Sequence, residues 1–257
     1  MSSKREREYE RRRYEKWQQR QVQARARQRR QRVVAGAVVG ALVLAVGIGA
    51  AVALTRDDTP VALPSPVVSD QPQATAQPAR TGNGGVVPEA ALAEGRTWTG
   101  TLALSQGDVA IELDGAAAPQ AVANFVTLAR EGYFDGTSCH RLVTGGIHVL
   151  QCGDPTATGQ GGPGYSWGPV ENAPSDDVYP AGTIAMARVG GDGSSMGSQF
   201  FLVYEDSQIP SDSAGGYTVF GRITSGLDVV QAIADAGTVE GSETPVDDVI
   251  IEGVETQ

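Results

Sequence analysis

Residues 96–257 are expected to form a mainly β domain carrying two helices, set behind one apolar span and a proline-rich tether. Three patterns lead there. Apolar residues alternate with polar ones over short runs, two stretches carry them at helical spacing, and residues 33–54 contain no charge.

The chain opens on a basic segment. Residues 1–32 hold 13 Lys or Arg against 4 Glu, whereas residues 33–257 hold 7 Arg, no Lys and 26 acids. Such a split means the two parts meet different surroundings. The acidic part is a poor nucleic-acid binder. The basic part has a better explanation than phosphate contact in the block that follows, so no nucleic-acid partner is expected. Val33 to Leu54 is 22 uncharged residues, about 33 Å as a helix, enough for a bilayer core. With the cations before it, the positive-inside rule leaves 1–32 in the cytoplasm and 55–257 outside. A cleaved signal peptide ending at Ala51-Val52-Ala53 competes, but its leading segment and apolar core would both be too long. Gly36, Gly40 and the series Ala37, Ala41, Ala45, Gly49 put small residues on one helical face. Two copies could pair there as an anchor-mediated homodimer.

Residues 55–95 contain Pro60, Pro64, Pro66, Pro72, Pro78 and Pro88 among Ala, Gln, Thr and Gly. That composition supports no core and is read as a disordered tether. The domain is placed from Arg96. Trp98 to Leu104 and Val109 to Leu113 alternate around the turn Ser105-Gln106-Gly107-Asp108, a hairpin. Pro119 opens a helix with Val122, Phe125, Val126 and Ala129 on one face, and Gly132 ends it. Short strands are expected near 138–143, 149–153, 183–187, 199–203, 217–223 and 247–254. A second helix runs from about Leu227 to Ala236, with Leu227, Val230, Ile233 and Ala234 facing inward. Periodicity goes no further than β-rich with two helices.

Arg141 stands in an apolar run beside Leu142, Val143, Val149 and Leu150. A guanidinium never loses its proton, so burying it is costly unless its five donors find acceptors. Gln151 lies ten residues on, and Gly197-Ser198-Gln199-Phe200-Phe201 brings a second amide beside two aromatics. Together they could grip a peptide group. His140-Arg141, Gln151-x-Gly153-Asp154, Met186-Ala187, Gly197 to Phe201 and Val219-Phe220-Gly221 recur in the order found in the cyclophilins, the peptidyl-prolyl cis-trans isomerases. The motifs that carry this resemblance run from His140 to Gly221. The lysine-free domain and Arg-rich start resemble actinobacterial members.

The resemblance implies a closed eight-stranded antiparallel β-barrel with a helix over each end. It also implies rotation of X-Pro bonds in proline-containing polypeptides, with no cofactor and no metal. Arg141 becomes the catalytic residue. The barrier to turning the bond is close to 20 kcal/mol, and the twisted transition state frees a lone pair on nitrogen. A donor aimed there favours that state over the planar one. About 7 kcal/mol of such preference corresponds to roughly a 10⁵-fold gain. Phe201, Val149 and Ile209 become walls for the proline ring, with His148 at the rim and Tyr217 where many members have a late histidine. Phe200 should point to the core. Gln151, Gln199 and the main chain of Ala187, Arg188 and Val189 become the backbone grip.

The sequence also departs from the family. The loop from Arg141 to Gln151 and the segment 190–196 are each two residues longer, so assignments at Ile147 and His148 could slip by one. His148 replaces a common Phe, Val149 a Met, and Gln208 the Trp that many members use for cyclosporin, so that drug should bind weakly. A proline-peptide binding module without turnover would use the same pocket, and Arg141 separates the two readings. Arg141 clamped to an acid such as Glu171 would be merely structural.

Cys139 and Cys152 flank the Arg141–Gln151 loop. Outside the cytoplasm they could form a disulfide at its base, or remain two thiols in a core. With His140 and His148 they match no usual zinc spacing. Gly159-x-Gly161-x-x-Gly164 fits a dinucleotide pattern but opens no helix. Gly193-x-Ser195-x-Gly197 fits a hydrolase elbow but leads into a strand. Both are read as surface loops.

Overall fold

The structure, a computed structural model, describes residues 80–257. The basic head (1–32), the apolar span (33–54) with its helix pairing, and the tether up to residue 79 lie outside the described residues. Among the described residues no helix is long and apolar enough to cross a membrane.

Alternation produces the strands where it was expected. β1 (Thr97–Leu104) and β2 (Gly107–Asp114) form a hairpin closed by Leu104 opposite Gly107. They lead into α1 (Pro119–Arg130), with Pro at the first turn, where its missing N–H costs nothing. The remaining elements are β3 (Thr137–Ser138), β4 (Arg141–Val143), β5 (Val149–Cys152), β6 (Val178–Tyr179), β7 (Thr183–Met186), β8 (Phe200–Val203), β9 (Ser207–Gln208), β10 (Val219–Ser225), α2 (Leu227–Ala236) and β11 (Ile250–Thr256).

Nine strands make one curled antiparallel sheet in the order β3-β11-β1-β2-β10-β7-β8-β5-β4, and β6 pairs with β9 separately. The closed eight-stranded barrel is therefore corrected to a half-barrel. Its edge strands β3 and β4 have no ladder between them among the described residues. The single strand expected at 138–143 breaks because its two halves have different neighbours. Cys139 N donates to Val249 O at 2.8 Å, beside β11, whereas β4 pairs with β5.

The start of the domain also moves. Residues 80–95, read as tether, pack onto it. Arg80 donates to the carbonyls of Tyr133 and Asp135, Gly82 N to Pro163 O, and the buried Trp98 indole to Ala93 O. Ala93 is fully buried. Two short 3-10 turns (Gly82–Gly85 and Ala90–Ala93) supply local hydrogen bonds that the composition does not advertise.

The sheet divides the apolar residues into two groups. On the α1 side Phe125, Phe134, Phe200 and Phe220 pack ring against ring, with centroids 5.1–5.7 Å apart. Across the sheet Val143, Val149, Tyr179, Ala185, Phe201, Val203 and Ile209 form a second cluster. Neighbours along a strand face opposite ways. So Phe200 enters the main core and Phe201 the other face, as expected. Glu171 is not the partner of Arg141. Its carboxylate accepts from Gln120 N at 3.1 Å and Ala121 N at 3.0 Å, capping the α1 N-terminus from a distant loop.

Candidate active site

Register builds the site. Arg141 lies opposite Gln151, Gln151 opposite Phe201, Phe201 opposite Ala185, and Ala185 opposite Val219. Residues directly opposite in a sheet project to the same face. One lateral row across β4, β5, β8, β7 and β10 thus carries a cation, an amide and an aromatic floor. Above it lies a cavity of about 110 Å³ lined by Arg141, Ile147, Val149, Gln151, Ala187, Arg188, Phe201, Ile209 and Tyr217. The lining is mixed: Ile147, Val149, Phe201 and Ile209 supply apolar walls, and Arg141 and Gln151 bring polar groups to one side.

A chain of hydrogen bonds holds the polar side. Arg141 Nη1 donates to Gln151 Oε1 at 3.3 Å, and Gln151 Nε2 donates to Gln199 Oε1 at 2.8 Å. Gln199 Nε2 then donates to Gly159 O at 3.1 Å and Gly161 O at 2.8 Å. These bonds fix which way both amides point. The loop bearing the two carbonyls is wound around Asp154, whose carboxylate accepts from Thr156 N and Oγ1, Thr158 N and Gly161 N. A Cβ at Gly161 would collide with that carboxylate. Burial pushes the Asp154 carboxyl up, but the bonds from Thr156 and Gly161 and the nearby His140 outweigh it. The group sits below its ordinary range. This is the segment with the Gly159-x-Gly161-x-x-Gly164 pattern. It opens no helix, yet it anchors Gln199.

The two arginines at the cavity differ. All five N–H groups of Arg188 are engaged: Nε with Gly216 O, Nη1 with Val189 O and Asp212, Nη2 with Asp212 and Gly215 O. Its side chain is 0% exposed and lies 4.6 Å over the Tyr217 ring. The bonds from Arg188 hold the Asp212 carboxyl well below the usual range. Arg141 is 39% exposed and gives Nε to Glu243 Oε2 at 2.6 Å. Three of its five donors have no partner among the described residues.

His148 requires a correction. It does not line the cavity; its ring packs against Tyr204 at 5.7 Å and reaches Glu205 at 3.8 Å. Ile147 takes the rim position, the one-residue slip that the longer loop allowed. Ala187, Arg188, Val189 and Gln199, with Gln151, border a second cavity of about 300 Å³. Cys139 and Cys152 are joined by a disulfide, so neither thiol is available to a metal. Ser195 Oγ donates to Asp192 O and accepts from Val189 N, a loop brace with no histidine attached. The acid contact weighed for Arg141 in the sequence does exist, but through Glu243, which no motif marks, and not through Glu171.

A family model described as cyclophilin type peptidyl-prolyl cis-trans isomerase/CLD matches residues 99–256. A probable peptidyl-prolyl cis-trans isomerase B of Mycobacterium leprae is 39% identical over 193 residues, covering 70% of this chain and 62% of that one. Its Mycobacterium tuberculosis counterpart is 42% identical over 155 residues, covering 56% and 48%. The chain thus spans about half to three fifths of the length of these mycobacterial relatives. A Bacillus subtilis peptidyl-prolyl cis-trans isomerase B is 40% identical over 144 residues, 55% of this chain and 94% of that one. Among solved structures, a Cryptosporidium parvum cyclophilin type isomerase superposes with a TM-score of 0.55 at 28% identity, covering 63% of this chain and 98% of that one. The same Cryptosporidium protein was also crystallised in the presence of the dipeptide Ala-Pro.

Proposed function

We propose that this chain, which belongs to the cyclophilin-type peptidyl-prolyl cis-trans isomerase family, accelerates rotation about X-Pro peptide bonds. The observation that carries the reading is Arg141. It is held at the edge of a pocket of about 110 Å³ with an aromatic floor and aliphatic walls, and three of its N–H groups have no partner among the described residues.

The proline ring would rest on Phe201, with Val149, Ile147 and Ile209 as walls. Gln151, Gln199 and the main chain of Ala187–Val189 would hold the flanking peptide groups. Arg141 would donate to the imide nitrogen as it becomes pyramidal, a bond worth little in the planar ground state. The preference for the twisted state therefore lowers the barrier. A guanidinium suits this role because it is a permanently charged, rigid fork of donors.

The same reading places the domain outside the cell, anchored by residues 33–54 with residues 1–32 in the cytoplasm. Supporting it are the uncharged block, the cations before it and a Cys139–Cys152 disulfide of the kind that persists in oxidising compartments. Its substrates would be secreted chains whose slow X-Pro isomerisation limits folding. Protease digestion of intact cells tests the topology: the domain should be cut while the basic head is spared.

A protease-coupled assay on the full chain with a panel of X-Pro peptides tests the activity. The wild type should turn over, and Arg141→Ala should lose activity while still binding a proline peptide. A wild type that binds without turnover would make this a proline-peptide binding module.

A further inference from the structure

Glu243 lies on the loop between α2 and β11, far in sequence from every motif of the site. Its placement is nonetheless built. Its own carbonyl accepts from Leu142 N at 2.6 Å, docking the loop on the exposed edge of β4 one residue after Arg141. The loop is braced from within: Val239 N donates to Thr244 O, Ser242 N to Val239 O, Val246 N to Gly237 O, and Thr244 N to Ser242 Oγ. Thr238 and Pro245 bridge its base. The carboxylate thus reaches Arg141 Nε at 2.6 Å from a backbone fixed against the same strand.

We propose that Glu243 is a positioning residue for the isomerase reaction, setting the plane of the Arg141 guanidinium. This rests on the reading of Arg141 as the catalytic donor. A guanidinium is a rigid planar fork, so binding its Nε edge fixes where both Nη groups point. Gln151 takes one Nη1 hydrogen on the pocket side. Two contacts on adjacent edges leave the remaining donors a single direction. Without Glu243, Arg141 would retain the 3.3 Å bond to Gln151 alone and could swing about its long stem. The ion pair is solvent-exposed, Arg141 at 39% and Glu243 at 55%, so its value for stability is small. Its effect belongs to orientation, where small misplacements of a catalytic group lower turnover.

The test is isomerase kinetics on the full 257-residue chain, with kcat and KM separated and peptide affinity measured by titration. Glu243→Ala should lower kcat about 5–10-fold, with KM and peptide affinity within about twofold of wild type and the melting temperature unchanged. Glu243→Gln keeps an oxygen that accepts from Nε and should restore kcat to within about twofold. Three results overturn the proposal: wild-type kcat in Glu243→Ala, equal losses in Ala and Gln, or a Gln variant faster than wild type. The last would mean that the charge of Glu243, and not its geometry, governs Arg141. Arg141→Ala is run alongside. If it keeps wild-type turnover, the catalytic reading itself fails, which is a different result from any of the three.

Discussion

Arg141 and Arg188 border the same cavity, carry the same charge and head opposite fates. Arg188 is sealed, with every donor matched to an acceptor and its guanidinium carbon 4.6 Å from the centre of the Tyr217 ring. It can shape a wall but has nothing left to give a substrate. Arg141 is tethered at one edge and open at the other. Position beside a pocket does not make a guanidinium available to a ligand; unspent hydrogen-bonding capacity does. The two should therefore fail in different ways when removed.

The largest effect is expected at Arg141. Arg141→Ala should cut kcat/KM by about 10³-fold or more, with melting barely altered, since the side chain is exposed and lightly bonded. Coupled kinetics and a melting curve on the same preparation check both halves. If Arg188→Ala showed the larger kinetic loss, the contrast would be reversed.

Arg188→Ala should instead strike stability. It leaves the buried Gly216 carbonyl without its donor and removes the buried side chain that ties Val189, Asp212 and Gly215 together, so the melting temperature should fall by a few degrees. Arg188→Lys should rescue little, because an ammonium cannot make the two-pronged contact with Asp212.

Gln151→Ala falls between. It removes the link from Arg141 to Gln199, and kcat should drop about tenfold with modest change in melting. A loss confined to KM would instead mark Gln151 as a backbone grip with no role in orienting Arg141.

The smallest effect concerns the residue before Arg141. Burial pushes the His140 imidazole below its ordinary value of 6.5, with Asp154 pulling back without reversing it. The unfolded chain then binds a proton that the folded one refuses. Stability is full above pH 6.5 and declines as pH falls from there through the lower folded value. Melting between pH 7.5 and 5 should show a drop of a few degrees beyond that of His140→Gln.

How much of this was legible beforehand follows a physical line. Strand and helix positions were readable because alternation and helical spacing are local, as in Val109-x-Ile111-x-Leu113 and Val122 with Phe125 and Val126. Arg141, Gln151, Gln199 and Phe201 were readable from the motifs that carry the family resemblance. His148 was misplaced because two extra loop residues leave the side-chain direction undetermined, and the rim went to Ile147. Residues 80–95 look like tether in the sequence because their hydrogen bonds go to partners far along the chain, such as Pro163 and Tyr133. Composition does not encode those partners.

By itself the sequence determined which side chains the site could use, since residue type sets donor count, charge and apolar volume. The tertiary structure decided which of them remain available. Register aligned Arg141, Gln151 and Phe201 in one row, and loop docking set Glu243 on one arginine and Asp212 on the other. The reason is that a hydrogen bond is a property of two groups. Whether the Arg141 Nε–H is spent depends on Glu243, 102 residues away.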